Sequence, residues 1–115
     1  LPATGEVRRF YNPAAAEFVK CAHNLYNATK ISFWNELWLF GERLGIDVEE
    51  VAATVARSAE GSYNPDYGIR GGTPFGGTCL PKDVAGFLAF AGELGIPIPL
   101  LMAVHEVNEH MRRIR

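Results

Sequence analysis

"NPAAAEFVKCAHNLYNATKISFWNELWLFGERLG", residues 12–45, is the longest segment of this chain with a continuous helical pattern. Asn12 is a candidate N-cap, Pro13 occupies the first helical position, and Gly45 is a typical stop signal. Because no further proline interrupts the stretch, we predict one helix that ends at Leu44. At a rise of about 1.5 Å per residue this helix would be roughly 48 Å long.

The second half of this helix carries more apolar residues than one face can hold. They are Phe33, Trp34, Leu37, Trp38 and Phe40. Apolar surface of this extent indicates that a partner subunit or a neighbouring domain covers it. The alternative is that the other helices of the same chain wrap it completely.

Shorter helices are predicted on the C-terminal side. "DVEEVAATVARSA" begins at Asp47 with a glutamate three residues on, which is a capping-box arrangement. "KDVAGFLAFAGEL" follows Pro81 and ends at Gly95, and "LLMAVHEVNEHMRRIR" follows Pro99 with apolar residues at helical spacing. No segment reads as a strand. We therefore predict an all-α fold in which one long central helix (about 13–44) is packed by three shorter helices.

A glycine-rich connection precedes the third of these helices. Residues 60–78 contain six glycines, two prolines and three aromatic residues, and connections of this length are typically functional or disordered. The glycines at 68, 71, 72, 76 and 77 let the backbone adopt positive φ and let a ligand approach the main chain. We expect a Gly-rich loop (about 60–80) that carries Cys79 and is built for contact.

The composition bounds the possible partners. With 115 residues and 48% apolar residues, the chain fits a single helical domain, 1–115. A net charge of −2 argues against nucleic acid or a membrane surface as partner. No apolar run reaches the length of a membrane span and no secretion signal is visible, so we expect a cytoplasmic protein with free thiols at Cys21 and Cys79. The abrupt ends of the sequence indicate a piece of a longer protein.

Cys79 has the sequence context of a reactive thiol. It lies two residues before Pro81, so its sulfur can approach the positive end of a helix dipole, and Lys82 adds positive charge nearby. Both features favour the thiolate, which is the nucleophilic form. Asp83 falls in the first turn of the same helix. The alternative is that Cys79 is a small buried apolar residue, that Asp83 only caps the helix, and that the glycines form a tight turn.

Two polar residues of the long helix are further candidates. Lys20 and Asn24 share one helical face with Glu17 and Asn27, because all four succeed one another at steps of three and four residues. They can present a cation and an amide to an oxyanion, as attack by a thiolate on a carbonyl requires. The alternative is an ordinary exposed face.

Other kinds of site are not indicated. The sequence contains neither G-x-x-x-x-G-K-[ST] nor a strand followed by G-x-G-x-x-G, so no dinucleotide site is expected within these residues. His23, His105 and His110 show no zinc spacing with the cysteines, and we assign no metal.

Three motifs in this order resemble one known family. "AEFVKCAHNLYNATKISFWNEL", "FGGTCLPKD" and "LGIPIPLLMAVHEVNE", spanning about residues 14–109, resemble the central, dimerisation domain of the UDP-glucose/GDP-mannose dehydrogenase family. The G-G-x-C-x-P-K-D pattern is the most specific part of the likeness. The resemblance implies oxidation of a sugar C6 hydroxyl to a carboxylate, a four-electron reaction that uses two molecules of NAD in succession.

The resemblance also implies a role for each matching residue. Cys79 would attack the intermediate aldehyde to give a thiohemiacetal, which a second hydride transfer converts into a thioester. Lys20 and Asn24 would stabilise the oxyanion, and Asp83 would order or activate the water that releases the acid. Lys82 matches the motif without a clear role.

Further implications concern the substrate, the cofactor and the partner. The candidate sugar contacts are Gly76 and Gly77, with Phe75, Tyr67 and Lys82 as weaker candidates. "YNPDYGIRGGTP" departs from the commoner wording of the family, which leaves the sugar and its nucleotide open. The domains that bind NAD and the nucleotide are expected outside these 115 residues, so the piece alone should not turn over. The family likeness also implies a homodimer through the long helix.

Two other functions remain open at this point. One is a non-catalytic helical dimerisation module with an inert Cys79. The other is the helical domain of a two-electron hydroxyacid-type dehydrogenase, although a single hydride transfer needs no cysteine.

Overall fold

The computed structural model describes residues 13–77 and 79–114. These residues form five helices and no strand, which confirms the predicted all-α class. The helices are α1 (Pro13–Leu44), α2 (Val48–Ser58), α3 (Glu60–Tyr63), α4 (Cys79–Leu94) and α5 (Pro99–Ile114). The predicted long helix is confirmed, while its candidate N-cap, Asn12, lies outside the described residues.

The connection between α2 and α4 differs from the prediction in two ways. Residues Glu60–Tyr63 form a helical turn, closed by the Asn64 N–H, which donates to the Glu60 carbonyl at 3.0 Å. The described residues therefore hold four shorter helices instead of three. In addition, α4 begins at Cys79, two residues before Pro81. A helix tolerates proline at its third position because the first N–H groups have no intrahelical acceptor in any case.

Local signals set the junction between α1 and α2, as predicted. Gly45 adopts a φ of 71°, and the N–H groups of Gly45 and Ile46 donate to the Gly41 carbonyl at 2.8 and 3.0 Å. This arrangement satisfies a carbonyl that the end of α1 leaves without a partner.

Asp47 caps α2, as predicted. Its Oδ1 accepts from the N–H groups of Glu49 and Glu50 at 3.1 and 3.4 Å.

The chain divides into two compact units, one that ends at Phe33 and one that begins at Trp34. The core of the second unit is small. Its buried apolar residues are Phe40, Ala91 and Ile98, and the Phe40 ring lies 4.4 Å from that of Phe87 between centroids. Aromatic contacts of this kind between α1 and α4 stabilise beyond the apolar area that they bury.

Two charged side chains of α1 also hold the second unit together. Glu36, which is 8% exposed, accepts from the N–H groups of Leu100 and Leu101 in the first turn of α5, at 2.5 and 3.0 Å. Arg43 donates from Nη1 to the carbonyl of Leu94 at the last residue of α4, at 2.7 Å. A carboxylate at a helix N-terminus and a cation at a helix C-terminus both complement the helix dipole.

Candidate active site

Cys79 is the first residue of α4 and is exposed to solvent. The prediction that the loop carries this cysteine is therefore wrong in detail, because the sulfur belongs to the first turn of the helix. Neither Cys79 nor Cys21, which is also exposed, forms a disulfide with another described residue. A thiol at this position lies at the positive end of the helix dipole and can be reached from solvent, as a nucleophile must be.

Lys82 and Asp83 lie one turn along the same helix. They are three and four residues after Cys79, so helical geometry directs all three side chains to the same side of α4. Asp83 was predicted in the first turn, but the earlier start of α4 places it one turn further on. Both residues line an open cleft of about 410 Å³, whose remaining lining residues are Gly86, Phe87 and Phe90. The cleft thus combines two charges with apolar rings.

The segment before Cys79 presents backbone to solvent. Gly72 and Gly77 adopt φ values of 90° and 82°, a conformation that residues with a Cβ rarely take. A Cβ built on Gly76 or Gly77 would meet no atom of the described residues within 4 Å. A ligand can therefore approach the main chain at both residues; that this ligand is a sugar remains a prediction.

Phe75 is fixed by a residue that the sequence analysis missed. The side chain of Asn108 on α5 accepts from the Phe75 N–H at 2.7 Å and donates to the Phe75 carbonyl at 3.1 Å. A signal for Asn108 exists in the sequence: it lies on the same face of α5 as Leu101 and Met111, where an apolar residue is expected. A polar residue in such a position needs a buried partner.

Tyr67, another candidate sugar contact, is exposed and belongs to a turn that follows α3. Its N–H donates to the carbonyl of Asn64 at 3.0 Å, and the Asn64 side chain accepts from the N–H of Asp66 at 3.1 Å. The Tyr67 ring approaches Gly61 of α3, since a Cβ built on that glycine would lie 3.8 Å from the ring. A contact of Tyr67 with a sugar remains a prediction.

Lys20 and Asn24 are exposed residues of α1 in the first unit. The Lys20 ammonium lies 3.7 Å from a Glu17 carboxylate oxygen, an exposed pair that contributes little to stability. The spacing of four residues directs Lys20 and Asn24 to one face of α1, as predicted. That they act on the same substrate as Cys79 remains a prediction.

The described residues also bear on cofactors. Within residues 13–77 and 79–114 no group of three or more His, Cys, Asp or Glu side chains is placed to hold a metal ion. The same ranges have no strand, and so lack the strand-turn-helix cradle that binds the pyrophosphate of NAD. No helix in this part of the chain combines the length and apolar character needed to cross a membrane.

The fold and the site together define a helical domain with an exposed cysteine that begins a helix after a glycine-rich segment. Residues 14–110 match the UDP-glucose/GDP-mannose dehydrogenase family, central domain. The chain belongs to this family, as its motifs predicted, and thus to a family of oxidoreductases that act on nucleotide sugars.

Individual relatives agree with this assignment. The chain is 40% identical to UDP-glucose 6-dehydrogenase TuaD of Bacillus subtilis over 101 residues, which cover 88% of this chain and 21% of the relative. It is 37% identical to GDP-mannose 6-dehydrogenase of Pseudomonas syringae pv. syringae, over 83% of this chain and 22% of the relative. The crystal structure of a ternary complex of GDP-mannose dehydrogenase from Pseudomonas aeruginosa superposes with a TM-score of 0.77 at 31% identity, over 84% of this chain and 22% of that one. The chain therefore spans about a fifth of the length of these relatives.

Proposed function

We propose that this chain is the central domain of an NAD-dependent nucleotide-sugar 6-dehydrogenase and contributes the catalytic cysteine and the dimer interface. The observation that carries the proposal is the position of Cys79, an exposed thiol at the first residue of α4 that follows a glycine-rich segment with open backbone. The substrate is a UDP- or GDP-linked sugar whose C6 hydroxyl is oxidised to a carboxylate.

The thiol explains how an alcohol can be taken beyond the aldehyde. The sulfur of Cys79 adds to the C6 aldehyde carbon, and the carbonyl oxygen takes a proton to give a thiohemiacetal. Loss of a hydride from C6 and a proton from the hydroxyl then leaves a thioester on Cys79. Water attacks the thioester carbon, the C–S bond breaks, the carboxylic acid is released and the thiol of Cys79 is regenerated. NAD supplies the hydride acceptor for both oxidations when it is bound.

Polar and charged residues support this chemistry in three roles. Lys20 and Asn24 stabilise the negative charge that develops on the C6 oxygen when the sulfur adds, because a cation and an amide donor on one helical face can reach the same oxyanion. Asp83 follows Cys79 by one helical turn and orders or activates the attacking water. Lys82, which lines the same cleft as Asp83, supplies positive charge near the sulfur or the substrate.

Substrate and cofactor are bound by different parts of the protein. Gly76 and Gly77 offer backbone groups to the sugar, and Phe75 and Tyr67 are apolar contacts nearby in sequence. The described residues contain no strand-turn-helix cradle for a dinucleotide, and we propose that NAD is bound mainly by a domain outside these 115 residues. We infer a cytoplasmic location, because a thiol that must attack in its reduced form persists in that compartment.

We further propose a homodimer through α1. Its first part exposes large apolar side chains, among them Phe18 and Leu25, which are 76% and 66% exposed. These two residues are seven positions apart and share one face of the helix, whereas Lys20 and Asn24 lie on a different face. Sedimentation of the chain should give a species of about twice 12.6 kDa. A monomer at high micromolar concentration would contradict the dimer.

The decisive experiment replaces the thiol in the full-length protein. Cys79→Ser should abolish formation of the uronic acid, because serine under the same conditions is a far weaker nucleophile and its ester is a different intermediate. Cys21→Ser is the matched control, since it removes the other exposed thiol and should leave acid formation unchanged. Undiminished conversion by Cys79→Ser would refute the proposal and leave a helical dimerisation module.

A further inference from the structure

Asn108 is a buried polar residue that has no part in the proposed chemistry. It lies on α5 and is 5% exposed. Its carboxamide forms two hydrogen bonds to one residue, Phe75, 33 positions earlier in the chain. Because its side chain gives both its acceptor and a donor to a distant loop residue, Asn108 fixes that loop residue as well as packing within α5.

The geometry of this pair fixes the loop backbone at one point. The Asn108 Oδ1 accepts from the Phe75 N–H, and its Nδ2 donates to the Phe75 carbonyl, so both peptide planes around Phe75 are held. A planar amide satisfies the two groups of one residue much as a neighbouring strand would. Phe75 itself is half-buried, whereas Gly76 and Gly77 after it are exposed.

Phe75, which Asn108 holds, is close to the thiol along the chain. Only three residues separate Phe75 from Cys79, and Cys79 is itself held in the first turn of α4. Gly76 and Gly77 therefore lie between two fixed residues, Phe75, which is held by Asn108, and Cys79, which is held by α4. Glycine is the residue with the most backbone freedom to lose, so this span depends on its anchors for a defined conformation.

We propose that Asn108 is a positioning residue, which acts through Phe75 to hold Gly76 and Gly77 in the conformation that presents the sugar to the Cys79 sulfur. This role rests on the proposed function. Asn108 does not touch the substrate. Reaction rates depend steeply on the alignment of the reacting atoms, and a displacement of about 1 Å can lower a rate by about a hundredfold.

Two variants in the full-length protein test the role. Asn108→Asp keeps an acceptor for the Phe75 N–H but loses the donor to its carbonyl, and Asn108→Leu removes both bonds at similar volume. Amide hydrogen exchange in residues 71–77 should accelerate at least fivefold in Asn108→Asp and more in Asn108→Leu. If Asn108→Leu fails to fold, Asn108→Asp carries the test alone.

Kinetics separate a positioning role from a loss of stability. For Asn108→Asp we expect kcat for acid formation to fall by about ten- to a hundredfold, with KM for the nucleotide sugar changed less than about threefold. Asp47→Ala, which removes the cap of α2, is the control for general destabilisation and should change neither kcat nor exchange in residues 71–77.

Each result has a distinct meaning. Unchanged exchange in residues 71–77 would overturn the inference whatever the activity. Faster exchange with unchanged kcat, together with loss of acid formation in Cys79→Ser, would overturn the positioning role and leave the proposed function intact. Acid formation that survives Cys79→Ser would overturn the proposed function and the positioning role with it.

Discussion

Glu36 is a buried carboxylate whose replacement tests how α5 is held. Pro99, the first residue of α5, has no N–H group, and the N–H of Met102 donates to the Ile98 carbonyl at 3.0 Å. The N–H groups of the two leucines between them are the donors that the start of the helix leaves without a backbone partner. Glu36 accepts from both, so its removal leaves two donors unsatisfied.

The expected decrease in the free energy of unfolding follows from the loss of these two hydrogen bonds. A hydrogen bond to a charged group contributes about 1.5–3 kcal/mol, and a carboxylate at a partly buried helix N-terminus adds about 0.3–2 kcal/mol. Glu36→Gln keeps one acceptor oxygen and loses the charge, so we expect it to lower the free energy of unfolding by about 2 kcal/mol after the smaller desolvation cost of the amide is included. Glu36→Ala should lower it by about 3–5 kcal/mol, because both bonds are lost and a cavity remains.

Urea denaturation followed by circular dichroism measures both variants. With a slope of about 1–3 kcal/mol per molar urea, the midpoint for Glu36→Gln should fall by roughly 1 M. Glu42→Gln is the matched control, because Glu42 is an exposed residue of the same helix and its replacement should change stability by less than about 0.5 kcal/mol. If Glu36→Gln is as stable as Glu42→Gln, the Glu36 carboxylate does not hold α5.

Two further predictions concern α1 and its neighbours. Gly41→Ala should lower the free energy of unfolding by about 1–3 kcal/mol, because the added methyl group would collide with the Val48 side chain. Gly92→Ala has open space among the described residues and should raise the free energy of unfolding by roughly 0.5–1 kcal/mol. Thermal unfolding of both variants checks this, and equal effects of the two would contradict it. Lys20→Ala in the full-length protein should lower kcat for acid formation by about ten- to a thousandfold with little change in KM, because the negative charge on the oxygen develops only as the transition state forms. A change confined to KM, or an equal loss of kcat in Lys30→Ala, would count against the role of Lys20.

The sequence was sufficient to predict four of the five described helices, because their ends depend on neighbouring residues; the single turn Glu60–Tyr63 was not predicted. Pro13, Gly45 and Gly95 act through their own backbone conformations, and Asp47 caps the helix that it precedes. The start of α4 was predicted two residues late, because Pro81 was assigned the first helical position when the third accepts a proline equally well. That error moved Cys79 into the loop and Asp83 into the first turn.

The residues that hold the site were not predictable in the same way. Glu36 and Asn108 bind backbone groups that lie 64 or 65 and 33 positions away along the chain. A peptide group is the same whatever the residue, so the partner leaves no mark in the sequence. Sequence reasoning could identify Cys79 and its neighbours as chemical candidates, but the fixing of Phe75 became visible only in the structure.

A single helix links the core of the second unit to the segment that precedes the thiol. At its start α5 is bound by Glu36, and at Asn108, roughly 10 Å further along its axis from Leu101, it binds Phe75. Cys79, Gly76 and Gly77, which are proposed to meet the substrate, are exposed, whereas the two side chains that hold this helix and the loop are buried. Because α5 serves both contacts, a change that loosens its first turn should also loosen the approach to Cys79, and the geometry of the proposed reaction then depends on the stability of the core of the second unit.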